Sequence, residues 1–178
     1  MIKPPLIAGL GEIMQLAYVP ADINAAVAYW TKVMGVGPFF RREHVKLEGT
    51  QYLGRPVDID FSMLLGYWGD IQIELIEQHN DAPSIYKKWR DEGRDGLHHV
   101  CLLVEDFAAA HAKCIAVGAQ ILQEARVPGG GEVIYVDAGA AGPMVEVLKP
   151  TPRGLESFAF MRDAARAWDG SQPVRSAG

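Results

Sequence analysis

The stretch HVCLLVEDFAAAHA (residues 99–112) aligns without a gap with QLAYVPADINAAVA (residues 15–28). Each copy has a strand-like run, then an Asp, then an Ala-rich segment of helical composition. Val19 falls on Leu103, Asp22 on Asp106, and Ala25 and Ala26 on Ala109 and Ala110. An Asp just ahead of a helix caps free N–H groups and sits well in the helix dipole, so both copies predict a capped helix. A repeat of this length means one structural unit written twice.

The repeat extends outward from that stretch. The first helix is expected to run to about Met34 and stop at GVGP (residues 35–38); the second stops at Gly118. Three strand-like runs follow each helix, at about 38–47, 57–65 and 70–77 in the first copy. In the second they lie at about 119–126, 132–137 and 143–148, with turns at VPGGG (127–131) and DAGAAG (137–142). IQIELIE (71–77) matches PMVEVLK (143–149) as the closing strand. The copies are offset by 84 residues at the first strand and by 72 at the last. Copy one therefore carries about twelve extra residues, within Gly37 to Pro56, in a loop-rich stretch placed to lie over a site.

The predicted fold class is α+β: two tandem βαβββ modules whose mixed sheet, covered by helices on one side, is free to curl on the other, with a C-terminal helix. The first module spans 1–80 and the second 96–150. DAPSIYKKWRDEG (81–93) opens a helical connector over 81–95. In the extension over 151–178, Phe158, Met161, Ala165 and Trp168 share one helical face, and DGSQPVRSAG (169–178) reads as a frayed end.

Side chains alternate across a strand, so parity assigns faces. Leu16, Tyr18, Ile71, Ile73 and Leu75, like Val100, Leu102, Val104, Val145 and Val147, form the apolar bed for the helices. The opposite face then carries Gln15, Glu74, His99 and Glu146, two pairs at repeat-equivalent positions. Carboxylates on a mostly apolar sheet face are costly unless something positive compensates them, and a divalent cation does so directly. Imidazole, carboxylate and amide oxygen form a mixed N/O shell suited to Zn, Co, Ni or Mn. The same parity sets His98 on the opposite face or the strand edge, as a bystander.

Composition narrows the function class. The chain has 178 residues and a net charge of −5, with no basic cluster beyond Arg41–Arg42 and Lys87–Lys88, which argues against a nucleic-acid partner. Two cysteines, Cys101 and Cys114, with no C-x-x-C, fit a reducing, cytoplasmic setting. MIKPPLIAGLGEI (1–13) has no apolar h-region, and no run reaches membrane-spanning length, so neither a signal peptide nor a membrane partner is expected. The GGG at 129–131 lacks the strand-to-helix context of a phosphate loop. His44, His79 and His111 show no ligand spacing. Arg41, Arg42 and Arg55 read as solvated surface.

With the repeat and the four inward residues in hand, the chain resembles the vicinal oxygen chelate superfamily, the glyoxalase/bleomycin-resistance/dioxygenase fold, over residues 12–149. The resemblance implies a cup-shaped sheet around one metal site, with the metal held by Gln15, Glu74, His99 and Glu146. IELIEQHNDAPSIYKKWRDEGRDGLHHVCLLVED (73–106) is most similar to the methylmalonyl-CoA epimerase family. That likeness implies proton abstraction beside a thioester carbonyl, with Glu146, and next Glu74, as catalytic carboxylates. Glu48 or Glu43 would be a second base and the substrate a small molecule such as an acyl-CoA; the assembly is open, since the modules can close a cup within one chain and a homodimer is a common outcome. That family usually has His at the position of Gln15 and Gln at that of Glu74, and its turn before the last strand differs from VDAGAAGP (136–143). The alternatives are a glyoxalase I-type lyase, disfavoured by Val19 where a glutathione-binding Arg would stand; a ring-cleaving dioxygenase, disfavoured by Gln15; and a metal-free binding protein.

Overall fold

The computed structural model describes residues 7–137, 139 and 142–177. Module one consists of β1 (Ile13–Tyr18), α1 (Ile23–Ala28), β2 (Phe39–Arg42), β3 (Glu48–Tyr52), β4 (Arg55–Pro56), β5 (Phe61–Trp68) and β6 (Ile71–Gln78). The connector is α2 (Ile85–Asp91). Module two follows with β7 (Leu97–Leu103), α3 (Phe107–Ala116), β8 (Gln120–Val127), β9 (Gly131–Asp137) and β10 (Met144–Lys149), and the chain ends with α4 (Pro152–Arg166) and β11 (Val174–Ser176). Much of the DAGAAG turn lies outside the described residues.

Both helices start where the repeat predicts. Asp22 accepts from the backbone N–H of Asn24 and Ala25, and Asp106 from that of Ala109. Past Ala28 the first helix widens into a π turn over Tyr29–Val33. Leu16, Tyr18, Ile73 and Leu75 pack against Ile23 and Trp30 of the first helical segment. Val104, Ile134, Val136 and Val147 pack against Ala110 and Cys114 of α3.

All the strands join one sheet, in the order β11-β2-β5-β6-β1-β7-β10-β9-β8-β3-β4. The modules meet through the antiparallel pair β1–β7, so the first strand of each lies at the centre. Only five residues, Glu43–Leu47, separate β2 from β3, and β3 pairs with β8. Such a link reaches at most about 20 Å. In a flat sheet β2 and β8 would stand about 34 Å apart. The sheet therefore curls into an open cup.

The extra residues of copy one, expected as a loop-rich stretch, include the β3–β4 hairpin, which pairs with β8 and extends the sheet at that edge. The expected continuous strand over 38–47 is corrected: β2 ends at Arg42, and His44 adopts φ 47°. Its ring pairs with Asp60 (Nδ1 to Oδ1, 2.7 Å), its backbone N–H donates to Ser62 Oγ, and Ser62 also bonds Glu43 and His79. This polar knot turns the chain away from the strand path. Val45, Leu47, Tyr52 and Val57 then pack onto the concave cluster of Ala17, Val19, Phe61, Ile76, Val133 and Tyr135.

Helix α4 lies on the concave side of module one, with Phe158, Met161, Ala164 and Ala165 against Phe40, Leu65 and Tyr67. Trp168 seats on Gly37, where an added Cβ would come within 2.7 Å of the indole. The frayed end expected over 169–178 is also corrected, because Val174–Ser176 pairs in parallel with β2 and covers its open edge. No helix among the described residues is long and apolar enough to cross a membrane.

Candidate metal centre

Two rows of residues cross the cup floor. In one, Gln72, Gln15, Cys101 and Glu146 are neighbours across β6, β1, β7 and β10; in the next, Glu74, Ala17, His99 and Met144 are. Small residues, Ala17 and Cys101, separate the larger polar ones and are fully buried beneath them. Three of the four residues expected on this face, Glu74, His99 and Glu146, converge. His99 Nε2 lies 3.0 Å from Glu146 Oε2 and 3.5 Å from Glu74 Oε2. One donor atom from each of the three falls within 4.8 Å of the others. His99 is 0% exposed and each Glu 6%.

The electrostatics are those of a buried site crowded with ionisable groups. Burial pushes the Glu74 carboxyl up from its ordinary value, with Glu146 adding to the effect and the His99 hydrogen bond opposing it. Burial alone would depress His99, but hydrogen bonds and charge from Glu146 and Glu74 raise it to about 9. Burial raises the Cys101 thiol and the Tyr86 and Tyr135 phenols well above their usual values, so these groups stay neutral. Tyr135 donates to Glu146 Oε1 (3.3 Å), and Tyr86 to the Tyr135 oxygen (3.2 Å).

Gln15 is 5% exposed. Its Nε2 donates to Gln72 Oε1 (2.7 Å), Gln72 in turn donates to the Tyr67 oxygen (3.0 Å), and Gln15 Oε1 has no partner. An orphaned buried carbonyl oxygen is costly, and a cation satisfies it. With the Glu-His-Glu set on the same cup floor, across neighbouring strands, this donor chemistry fits a divalent ion bound by one nitrogen and several oxygens.

The remaining expected site residues stand apart. Glu48 is exposed at the start of β3, opposite Arg126. Glu43 bonds Arg41 and Ser62, and Ser62 alternates with the concave-facing Phe61 and Met63, so Glu43 belongs to the outer face. His98 is not the bystander that parity predicts. The β1–β7 register slips between Ala17↔His99 and Tyr18↔Leu97, and this bulge buries His98 fully, with Nδ1 2.8 Å from His99 Nδ1. Burial holds its pKa well below the ordinary value. Arg42 is not solvated surface: it is half-buried, and its Nη2 donates to Ser157 Oγ of α4 (2.7 Å).

Sequence reasoning also missed Gln72, Tyr86 and Tyr135. Parity with Glu74 and with inward Val133 would have found Gln72 and Tyr135, whereas nothing in the connector marks Tyr86 as a neighbour of the site.

A paired βαβββ cup with inward carboxylate, imidazole and amide donors at matched strand positions defines a class of metal-binding cup proteins. The family model described as Glyoxalase/Bleomycin resistance protein/Dioxygenase superfamily matches residues 14–136, and the chain belongs to that family. Among solved structures it is similar to a methylmalonyl-CoA epimerase of Streptomyces coelicolor in complex with 2-nitronate-propionyl-CoA, at 19% identity and a TM-score of 0.58, covering 80% of this chain and 96% of that one. A methylmalonyl-CoA epimerase from Mycobacterium tuberculosis gives 17% identity and a TM-score of 0.54, covering 79% and 89%. A hypothetical protein from Bacillus halodurans gives 15% and 0.55, covering 79% and 94%. At these identities the likeness is one of fold. Comparison with curated proteins gives no match.

Proposed function

We propose that the protein is a metal-dependent isomerase or epimerase that removes a proton from the carbon next to a carbonyl, on an acyl-CoA or a related 2-oxo or 2-hydroxy compound. The observation that carries this reading is the buried Glu74–His99–Glu146 cluster, with a Gln15 oxygen on the same floor that has no partner among the described residues. These four residues would hold the ion, which when bound supplies positive charge to an enolate oxygen.

The chain's own residues do the rest. Glu146 and Glu74 are the carboxylates on the cup floor, so they take the proton-transfer roles. A carboxylate whose pKa is raised by burial, as in Glu74, is a better base than an exposed one. Tyr135, donating to Glu146 Oε1, leaves Oε2 as the oxygen that faces His99. The apolar lining of the cup keeps water from the reacting carbon.

Two features support an anionic, partly apolar substrate. Arg42 sits on the concave face within electrostatic reach of Glu74 and Arg153, and its hydrogen bond to neutral Ser157 leaves most of its guanidinium donors for an anion. A cavity of ≈ 270 Å³ lies beside the hairpin, with apolar walls from Val45, Leu47, Val57, Ile59 and Phe61 and polar ones from Lys46, Thr50, Asp58 and Gln123.

The test is solvent deuterium incorporation into short-chain acyl-CoA thioesters by the metal-supplemented protein. Exchange at the α carbon is expected, with Arg42→Met raising KM about tenfold while kcat changes little. Metal uptake without exchange in any thioester would defeat the epimerase reading. Oxygen consumption on catechols would transfer it to the dioxygenase branch.

A further inference from the structure

The bulge in β7 brings two histidine rings into contact nitrogen to nitrogen, and the geometry points to His98 as the positioning residue that fixes which nitrogen of His99 faces the metal. This rests on the metal reading above and assigns a role to a residue outside the donor set.

His98 Nε2 lies 3.3 Å from the backbone carbonyl of Ile85, in the first turn of α2. A carbonyl only accepts, so His98 carries its proton on Nε2. His98 is fully buried between Tyr86 and Trp89, with ring centroids at 5.7 and 5.0 Å, and has no carboxylate partner, which makes the neutral ring the stable form. Its Nδ1 then presents a lone pair, and the atom 2.8 Å away, His99 Nδ1, must donate to it. Once an ion displaces the proton on Nε2, the proton that His99 keeps is committed to Nδ1, and Nε2 is directed at Glu146 and Glu74, the place where the ion would bind.

A ligating imidazole ordinarily receives this service from a carboxylate or a backbone carbonyl. Here a backbone carbonyl sets the tautomer from one residue further away, through a neutral ring. The connector helix is thereby tied to the metal centre: Ile85, Tyr86 and Trp89 hold His98, and His98 orients His99. The β7 bulge is what makes the contact possible, since unbroken alternation would put neighbouring side chains on opposite faces.

The experiment uses His98→Phe, which keeps an aromatic ring against Trp89 and removes the acceptor. Its counterpart is His98→Asn, whose side-chain oxygen can take the place of Nδ1. Zinc affinity by chelator competition is expected to fall about 10- to 100-fold in His98→Phe and to recover most of that loss in His98→Asn. In 15N spectra of the histidine-labelled, zinc-loaded wild type, His98 is expected to be protonated on Nε2 only and His99 on Nδ1 only. These spectra decide the matter even if His98→Phe fails to fold. A His98 protonated on Nδ1, or zinc affinity unchanged in a folded His98→Phe, would overturn the proposal alone. A wild type that takes up no zinc would overturn the metal reading and this proposal together.

Discussion

The two modules contribute half a site each from the same strand positions, and the halves are wired differently. Module two supplies His99 and Glu146, coupled directly at 3.0 Å and backed by a buried phenol and a second histidine. Module one supplies Gln15 and Glu74; its amide is held by a neutral chain through Gln72 to Tyr67, and its carboxylate reaches His99 only at 3.5 Å. A duplicated scaffold fixes where donors stand, and the residues behind them fix how strongly each is held.

The sharpest way to break this comparison is to remove one carboxylate at a time. Glu146→Ala is expected to lower metal affinity and proton-abstraction rate by about 100-fold or more, and Glu74→Ala by less. Metal competition assays and exchange rates measure both. Equal losses would show that the closer His99–Glu146 contact confers no advantage.

Acid and base separate the halves next. In the metal-free protein His99 titrates near 9, above its ordinary 6.5, and Glu74 is also raised. Both groups bind protons more tightly folded than unfolded. The His99 contribution is therefore full below about pH 6.5 and lost as pH rises through 9. Thermal melting of metal-free protein should accordingly show a falling midpoint from pH 6.5 to 9.5. Metal affinity should move the opposite way and rise with pH up to about 9, because the ion must displace the His99 proton.

A smaller effect is expected at the neutral ligand. Gln15→Leu removes the orphaned oxygen and one donor, and should cost about tenfold in metal affinity while leaving metal-free stability close to wild type. His99→Ala, by contrast, should cost both, since it leaves two buried carboxylates without a cation. The smallest difference concerns the helix caps. Asp22→Ala and Asp106→Ala should each destabilise by about 1 kcal/mol, with Asp22→Ala the larger because Asp22 accepts from two backbone N–H groups and Asp106 from one. Urea denaturation resolves the two.

The repeat, the two caps and the inward side of β1, β6 and β10 were legible in the sequence because they depend on local periodicity and on nothing distant. What was not legible depends on contacts between remote segments. Strand 38–47 broke at His44 because Asp60 and Ser62, close to it only in space, captured its ring and its N–H. The tail over 174–176 became a strand because β2 presented an open edge. His98 was misread because parity assumes an unbroken ladder, and a single-residue bulge reverses the inference from that point on. Arg42 looked like surface until α4 folded over the concave face and supplied Ser157.

The central claim is that Gln15, Glu74, His99 and Glu146 hold a divalent ion, and calorimetric titration of metal-free protein with zinc tests it most directly. The account predicts one ion bound per chain in the wild type, with release of the His99 proton, and no binding in a Glu74→Ala, Glu146→Ala double variant that keeps its fold. A wild type that binds no zinc, or a folded double variant that binds it as the wild type does, would contradict it.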